Sequence, residues 1–438
     1  MADSPTNRID NKLGIQTDIP EDFELWQADR REAWQLSVLP DVLNYAYEQS
    51  ELYRDLWSKC DINPRLITNF DEFRSLPIVD KSDVIKSSSR IARIASARVG
   101  FSTRGTSGNP LVVWLDEKEA QCYLVPTARG FRWAGLREGD RALILSPSWH
   151  RLAAMEGHAV IQANALPNYF WGSLSDPSHV APFVDALLRV RPHFVTSTPP
   201  FILSVLRHCE DQGMTPSEAF SSVRSIVLVG LPLTPGLRKH LVERLNVDGV
   251  FERGGTQEGA ALDECHLHTG MHVHEDVCYL EVVDQTDTVV MPGTPGRLVI
   301  TKLVAGGSPF VRYDTGDTAY FQKGECACGI KMAQLRILGR PENTILVRGV
   351  PITGYDVRRI LDDQTDFVGR VSLLVNDPSN PDCLRILMEG EGSDVDPGEL
   401  LAQGLGIDDI MIDWGGGANL AWGFRQVIDV RELTKRKK

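Results

Sequence analysis

Two groupings in this chain have residue types and spacing suited to chemistry. The first is Ser102-Thr103-Arg104-Gly105-Thr106-Ser107-Gly108-Asn109-Pro110, where small hydroxyl residues are interleaved with glycines. Such a loop lets backbone N–H groups and hydroxyls surround an anion, because no side chain blocks close approach. It is not a Walker A loop: Gly100 and Gly105 have the right separation, but Thr106-Ser107 stand where lysine is required. The same residue types also build ordinary turns. The second grouping is made of cysteines. Cys60, Cys122, Cys209 and Cys383 are scattered and read as small buried hydrophobes, whereas Cys265, Cys278, Cys326 and Cys328 are close in sequence. Three thiolates and one imidazole make a closed tetrahedral zinc site. Cys265, Cys326, Cys328 and His272 are the candidate ligands; His266, His268 and His274 compete for the fourth place, and free thiols are the plain alternative. Cys278 lies in Val277-Cys278-Tyr279-Leu280-Glu281-Val282, which alternates like a strand, and reads as packing.

Elements capable of positioning these groups are visible in the hydrophobic periodicity. Residues 22–60 read as helices, with Trp26, Trp34, Leu36, Val42 and Leu43 at helical spacing, ending near Asn63-Pro64. From Arg141 onward short apolar runs alternate with amphipathic stretches: Ala142–Leu145, a helix around Phe201–Cys209 between His193–Thr196 and Ser225–Val229. Strand, helix, strand in succession predicts an α/β core with parallel strands. After about residue 270, turn dipeptides such as Pro292-Gly293 separate strand-like runs, which predicts an appended antiparallel sheet or small barrel. Beyond about residue 340 the texture is α+β again. Val357–Leu361 and Pro397–Gln403 read as helices, Val371–Val375 and Leu384–Met388 as strands, enough for a separate small domain.

Composition narrows the function classes. The 438 residues are 42% hydrophobic and 24% charged, which suits a globular core and argues against disorder or collagen. A formal net charge of −13 makes general nucleic-acid or anionic-membrane binding a poor fit, since phosphate affinity needs a basic surface. The basic Lys435-Arg436-Lys437-Lys438 reads as a solvated tail. Residues 1–14 contain no apolar stretch resembling a signal peptide and no window resembles a membrane span, so the expectation is a soluble cytoplasmic protein.

Five ordered segments give the clearest signal: Thr103–Pro110, Gly230-Leu231-Pro232-Leu233, Gly254-Gly255-Thr256-Gln257-Glu258, Tyr313-Asp314-Thr315-Gly316-Asp317 and Gly339-Arg340-Pro341-Glu342-Asn343. Together with Leu52-Tyr53-Arg54 and Leu76–Lys81, this order resembles the adenylate-forming superfamily, and within it the phenylacetate–coenzyme A ligase branch, over nearly the whole chain. The resemblance implies a large N-terminal α/β domain (1–341) and a small mobile α+β lid (342–438), hinged near Glu342 or Asn343. It implies ATP-dependent adenylation of a carboxylic acid, aromatic in this branch, then transfer to coenzyme A or a carrier-protein thiol. Thr103, Gly105, Thr106, Ser107 and Gly108 would hold the triphosphate, and Gly230-Leu231-Pro232 would lie against adenine. Gly255, Gln257 and Glu258 would form the magnesium motif, with Glu258 the ligand. Asp317 would bind the ribose hydroxyls, Arg340 the ribose or phosphate, and Arg348-Gly349 would border the thiol tunnel. Trp149, His150, Arg151 and Met155 would border the acid. Relatives in this branch carry a similar structural Cys/His site. A homodimer is compatible with the reading.

The pattern has departures. Asn109 replaces the lysine of the phosphate loop, Arg104 stands where a small residue is usual, Gly254 replaces an aromatic residue, and Gln257 replaces a hydroxyl residue. Most consequentially, the C-terminal lysine that meets the α-phosphate is missing: Trp422-Gly423-Phe424-Arg425-Gln426-Val427-Ile428-Asp429 places Gly423 or Phe424 at that position. One reading keeps adenylation with Arg425 as the substitute cation, so that Glu258, Thr106 and Arg425 form the catalytic set. A second is an acyltransferase that skips adenylation and moves a preformed acyl group to a thiol or an amine. The third is a non-catalytic nucleotide- or acyl-binding partner.

Overall fold

The computed structural model describes residues 20, 22–86, 99–102, 111–145, 151–170, 176–256, 258–259, 261–370, 372–389, 393–415 and 427–429. The chain divides into two compact units, Met1–Tyr169 with Arg253–Arg336, and Phe170–Glu252 with Ile337–Lys438.

In the first unit, the expected N-terminal helices are Ala28–Gln49 and Glu51–Lys59. The first buries Arg31, Gln35, Leu39, Val42, Leu43 and Ala46, a single stripe at three- and four-residue spacing. Trp26 lies outside it, in extended conformation after the turn Phe23–Leu25. Strands β1 (Val99–Ser102) and β2 (Val112–Leu115) form an antiparallel pair. Parallel β3 (Arg141–Ile144) and β4 (Leu166–Tyr169) flank the Arg151–Gln162 helix, as a βαβ pattern requires.

The remaining strands of this unit are the end of β7 (Gly249–Gly255), β8 (Ala261–Glu264), β9 (Met271–Val273), β10 (Cys278–Val283), β11 (Gly296–Lys302), β12 (Tyr313–Phe321) and the start of β13 (Gln334–Gly339). They lie in the order β10-β11-β12-β13-β9-β8-β7. The antiparallel pairing expected after residue 270 is present in β10–β11 and β11–β12, and extends back to β7–β8.

The helix Glu117–Trp133 packs on this sheet. Its N-terminus is fixed by Asp116, whose carboxylate accepts the Glu119 amide at 2.9 Å. Near its other end, Gly130 is so close to β8 that a Cβ there would stand 2.2 Å from the Asp263 carboxylate. Only a residue without a side chain fits, and the space it leaves is taken by a buried ion pair. Arg253 donates to both Asp263 oxygens at 2.8 and 3.0 Å.

In the second unit, β5 (Phe194–Ser197) and β6 (Ser225–Val229) pair in parallel across the Pro199–Asp211 helix. The C-terminal part contains the hairpin β14 (Thr344–Val347)–β15 (Val350–Thr353) and a sheet ordered β18-β17-β16-β19. Those strands are β16 (Ser372–Asn376), β17 (Leu384–Glu389), β18 (Ile410–Gly415) and β19 (Val427–Asp429), with helices Gly354–Leu361 and Pro397–Leu405. Val347, Ile352, Val357, Leu361, Leu384 and Ile386 are among the residues of its core, whose members all lie between 345 and 427. Polar contacts tie it to the earlier half of the unit. The Thr234 hydroxyl donates to Asp362, and Arg207 grips Glu389 with two bonds of 2.6 and 2.7 Å.

Because Gly130 has no room for a methyl group beside a paired carboxylate, Gly130→Ala is expected to lower stability by about 3 kcal/mol, through overpacking and a displaced ion pair. A denaturant midpoint equal to that of the wild type would contradict this packing account.

Candidate functional site

The end of β7 and the start of β8 are in register, Arg253 opposite Asp263 and Gly255 opposite Ala261. The turn between them carries Glu258. Gly255 (φ 152°) and Gly259 (φ 128°) bracket this turn with backbone angles that L side chains rarely adopt. Glu258 is buried, and its Oε1 accepts a hydrogen bond from the Tyr313 hydroxyl at 3.2 Å. The Tyr123 hydroxyl donates to the Gly259 carbonyl at 2.7 Å. Beside the turn, the Lys302 ammonium is buried, paired with Glu119 at 2.9 Å and donating to the carbonyls of Gly306 and Ser308. Its aliphatic stem packs close to Gly259.

Asp317 is placed by a break in the ladder. Asp314 pairs with Val299 and Thr318 with Arg297, so Thr315, Gly316 and Asp317 stand opposite Leu298 alone. Such a bulge re-aims a side chain that regular pairing would send to one face. Gly316 (φ 76°) makes the bend, the Thr315 hydroxyl donates to the Leu298 carbonyl at 3.0 Å, and the Asp317 amide donates to Thr315 Oγ1 at 3.1 Å. Asp317 is half-buried, while Asp314 is held by Arg297 at 2.7 Å. Tyr313 and Asp317 therefore belong to one strand, and the first of them is bonded to Glu258.

The other described candidates lie in the second unit. Gly230 (φ 94°) turns the chain out of β6, and half-buried Leu231 and Pro232 follow. The Leu233 amide donates to Glu252 at 3.4 Å. Arg340 precedes the short turn Pro341–Asn343, and its carbonyl accepts the Asn343 amide at 2.8 Å. Arg348 (φ 50°) and Gly349 (φ 79°) are the exposed two-residue tip of the β14–β15 hairpin. Two successive positive φ angles are what a tight hairpin turn of this twist demands. Thr103, Gly105, Thr106, Ser107, Gly108, Trp149, His150, Gln257 and Arg425 lie outside the described residues, and Arg151 and Met155 fall on the Arg151–Gln162 helix.

The structure brings Cys265, His272, Cys326 and Cys328 together, with one donor atom of each within 4.8 Å of the others. Cys265 and Cys326 sulfurs are 3.8 Å apart, and Cys328 Sγ lies 3.4 Å from His272 Nε2. The edge of a tetrahedron with zinc–sulfur bonds is about 3.8 Å, so the spacing suits a metal. His272 Nδ1 lies 2.9 Å from the Met332 carbonyl. Placing the ring proton there leaves Nε2 as a lone-pair donor toward the sulfurs. The hydrogen bond shared by Cys265 and Cys328 pushes the Cys265 thiol down and the Cys328 thiol up.

The competing histidines are used elsewhere. His274 Nε2 meets Asp263 at 2.8 Å with its ring stacked on Trp133, His268 faces Glu264 at 3.2 Å, and His266 is exposed. Burial pushes Asp263 up to about 7 against the pull of Arg253, and holds His274 well below the ordinary histidine range. Cys278 is buried in β10. Phe23, Ile330 and Met332, with Trp26, Trp34 and Trp133, surround the sulfur cluster with apolar surface.

Sequence reasoning did not single out Tyr313, Tyr123 or Lys302. Tyr313 had a signal, as the first residue of the Tyr313–Asp317 motif; the other two had none.

No family model matches the chain. It is 25% identical over 362 residues to a phenylacetate–coenzyme A ligase of Thermus thermophilus, covering 78% of this chain and 77% of that protein. A phenylacetate–coenzyme A ligase of Aromatoleum evansii is 24% identical over 391 residues, covering 86% of each. Among solved structures, 2-hydroxyisobutyryl-CoA ligase in the postadenylation state superposes with a TM-score of 0.83 at 20% identity, covering 95% of this chain and 93% of that one. The chain is thus a sequence relative of the phenylacetate–coenzyme A ligases, with the fold of the coenzyme A ligases of the adenylate-forming superfamily.

Proposed function

We propose that the chain is an acid–thiol ligase, which adenylates a carboxylic acid with ATP and passes the acyl group to coenzyme A. The observation that carries this reading is the linkage of two motif carboxylates. Glu258 is bonded to Tyr313, and Tyr313 begins the strand whose bulge presents Asp317. A buried carboxylate supplies the hard oxygen that magnesium on a triphosphate takes from protein. When bound, that ion offsets charge on the phosphate oxygens. A second, half-buried carboxylate can accept both hydroxyls of a ribose.

In the first step a carboxylate oxygen of the acid attacks the α-phosphorus, and the bond to the β,γ-phosphate pair breaks, releasing pyrophosphate. In the second the thiol sulfur attacks the acyl carbon, AMP departs and the thiol proton is lost. Thr103–Gly108 is assigned to the triphosphate, Gly230-Leu231-Pro232 to adenine and Arg340 to ribose or phosphate. Trp149, His150, Arg151 and Met155 are assigned to the acid, and Arg348-Gly349 to the incoming thiol. Residues 342–438 serve as the lid, a role supported by their self-contained core. Cytoplasmic residence fits a thiol-based metal site; among the described residues no helix is long and apolar enough to cross a membrane.

The fourth ligand left open by the sequence is assigned to His272, so that Cys265, His272, Cys326 and Cys328 hold a structural zinc ion. It would pin the Cys265–Gly270 loop to the Cys326–Cys328 loop beneath the N-terminal aromatic residues.

Two experiments test these assignments. Acid-dependent ATP–pyrophosphate exchange with aryl and alkyl acids is expected to be present, and to fall about 10²-fold in Arg425→Ala, the loss expected for one preorganised charge. Exchange absent with every acid, alongside acyl transfer from preformed acyl-CoA, would replace the ligase by the acyltransferase. For the metal, protein purified without chelator is expected to contain one zinc per chain by elemental analysis, and Cys328→Ser to lose it. Zinc-free wild-type protein would refute the ligand set.

A further inference from the structure

Two buried phenols grip the Glu258 turn, and they act on different parts of it. Tyr123 bonds the backbone, through the Gly259 carbonyl; Tyr313 bonds the functional carboxylate itself. Tyr313 is held from several sides. Its neighbours Arg312 and Asp314 both bond to Val79, through the Arg312 carbonyl and the Asp314 amide at 2.9 Å each. Its ring meets Phe310 edge-on at 5.1 Å, and the side chain is buried. The Arg312 guanidinium next to it is buried on Glu281 and on the carbonyls of Arg74 and Leu76. The hydroxyl that meets Glu258 thus projects from a fixed strand. A glutamate has several free torsions, whereas a phenol has few, so the pair is ordered by the tyrosine. A carboxylate offers about four lone-pair sites, so accepting one hydroxyl proton leaves capacity for a cation. The two partners are compatible rather than competing.

We infer that Tyr313 is a positioning residue for Glu258: its hydroxyl fixes the orientation in which the carboxylate meets a magnesium–triphosphate. The inference rests on the reading of Glu258 as the metal-facing carboxylate. It also makes β12 a shared ruler, since the strand that orients the metal carboxylate carries the ribose carboxylate four residues later.

Manganese, a paramagnetic stand-in for magnesium, tests this directly. Its binding to the complex of the full chain with α,β-methylene-ATP is followed by electron paramagnetic resonance. Tyr313→Phe is expected to weaken manganese binding about tenfold, equivalent to about 1.4 kcal/mol, with analogue affinity in the absence of metal unchanged. Tyr123→Phe, which frees only the backbone carbonyl, should stay within about twofold of wild type on this arithmetic. Equal losses in the two tyrosine variants would indicate general loosening of the turn and overturn the inference. Unaltered binding in Tyr313→Phe together with loss in Glu258→Gln would overturn it while leaving the reading of Glu258 intact. Unaltered binding in Glu258→Gln would remove that reading, and the inference with it. Should Tyr313→Phe not accumulate as folded protein, Glu258→Asp withdraws the carboxylate from the phenol without touching the core. It is expected to show the same tenfold loss, and wild-type manganese binding in it would overturn the inference.

Discussion

The Arg253–Asp263 ion pair is the constraint on which the first unit depends. The two residues are cross-strand partners on β7 and β8, and both are buried. Breaking such a pair by removing one member is far more costly than the pair's net contribution, because the survivor is left charged and dry. The register of the β7–β8 hairpin is therefore locked, and with it the turn that carries Glu258. The Arg253 guanidinium also reaches Thr127 Oγ1 at 3.1 Å, and one Asp263 oxygen receives His274. His274 is two residues beyond His272, whose own partner is the Met332 carbonyl. Arg129, on the Gly130-bearing helix, contacts Met332 through sulfur and pairs with Asp276. One buried polar network thus spans the distance between the Glu258 hairpin and the Cys/His cluster. The Asp263 carboxylate is held in this network and fills the space a Cβ would need, which is why a glycine is required where the helix meets it.

Much of this architecture was legible in the sequence because it is local. Apolar runs of four or five residues became β3, β5, β6, β16 and β17, and a Gly-rich motif order marked the places where the chain turns. What could not be read is what depends on distant partners. Four histidines lie between 266 and 274, and strand periodicity cannot choose between His272 and His274, which share parity on the same segment. The choice is made by neighbours from elsewhere: the Asp263 carboxylate and the Trp133 face claim His274, and Met332 with the sulfurs claims His272. The requirement for Gly130 was invisible for the same reason. A glycine inside a helix has no local signature that distinguishes an idle residue from one pressed against a carboxylate.

The C-terminal segment follows a different logic. Its core is built from its own apolar residues, and its attachments to the Phe170–Glu252 segment include a hydroxyl–carboxylate bond and a fork-shaped ion pair. Interfaces between domains of one chain are more polar than cores, and polar contacts can be exchanged for water at little net cost. Close shape still matters. At Gly236 a Cβ would stand 2.3 Å from the Asp362 carbonyl oxygen, so the polar contacts form only where backbone meets backbone.

The candidate residues share one further property: they stand where regular pairing ends. Glu258 is in a turn bracketed by glycines of positive φ, Asp317 in a bulge, Gly230 at a strand exit and Arg348-Gly349 at a hairpin tip. Inside a ladder, a side chain points to one face or the other. A side chain needed in any other direction must leave the ladder. Breaking the ladder supplies the missing directions, and it leaves backbone groups that must find partners of their own. Here those partners are supplied by buried side chains. Tyr123 takes the Gly259 carbonyl and Thr315 takes both the Leu298 carbonyl and the Asp317 amide. The Glu258 turn and the Asp317 bulge are thus each stabilised by a named polar group. A net charge of −13 is compatible with phosphate ligands, because anion binding depends on local, fixed donors rather than on the mean field of a chain.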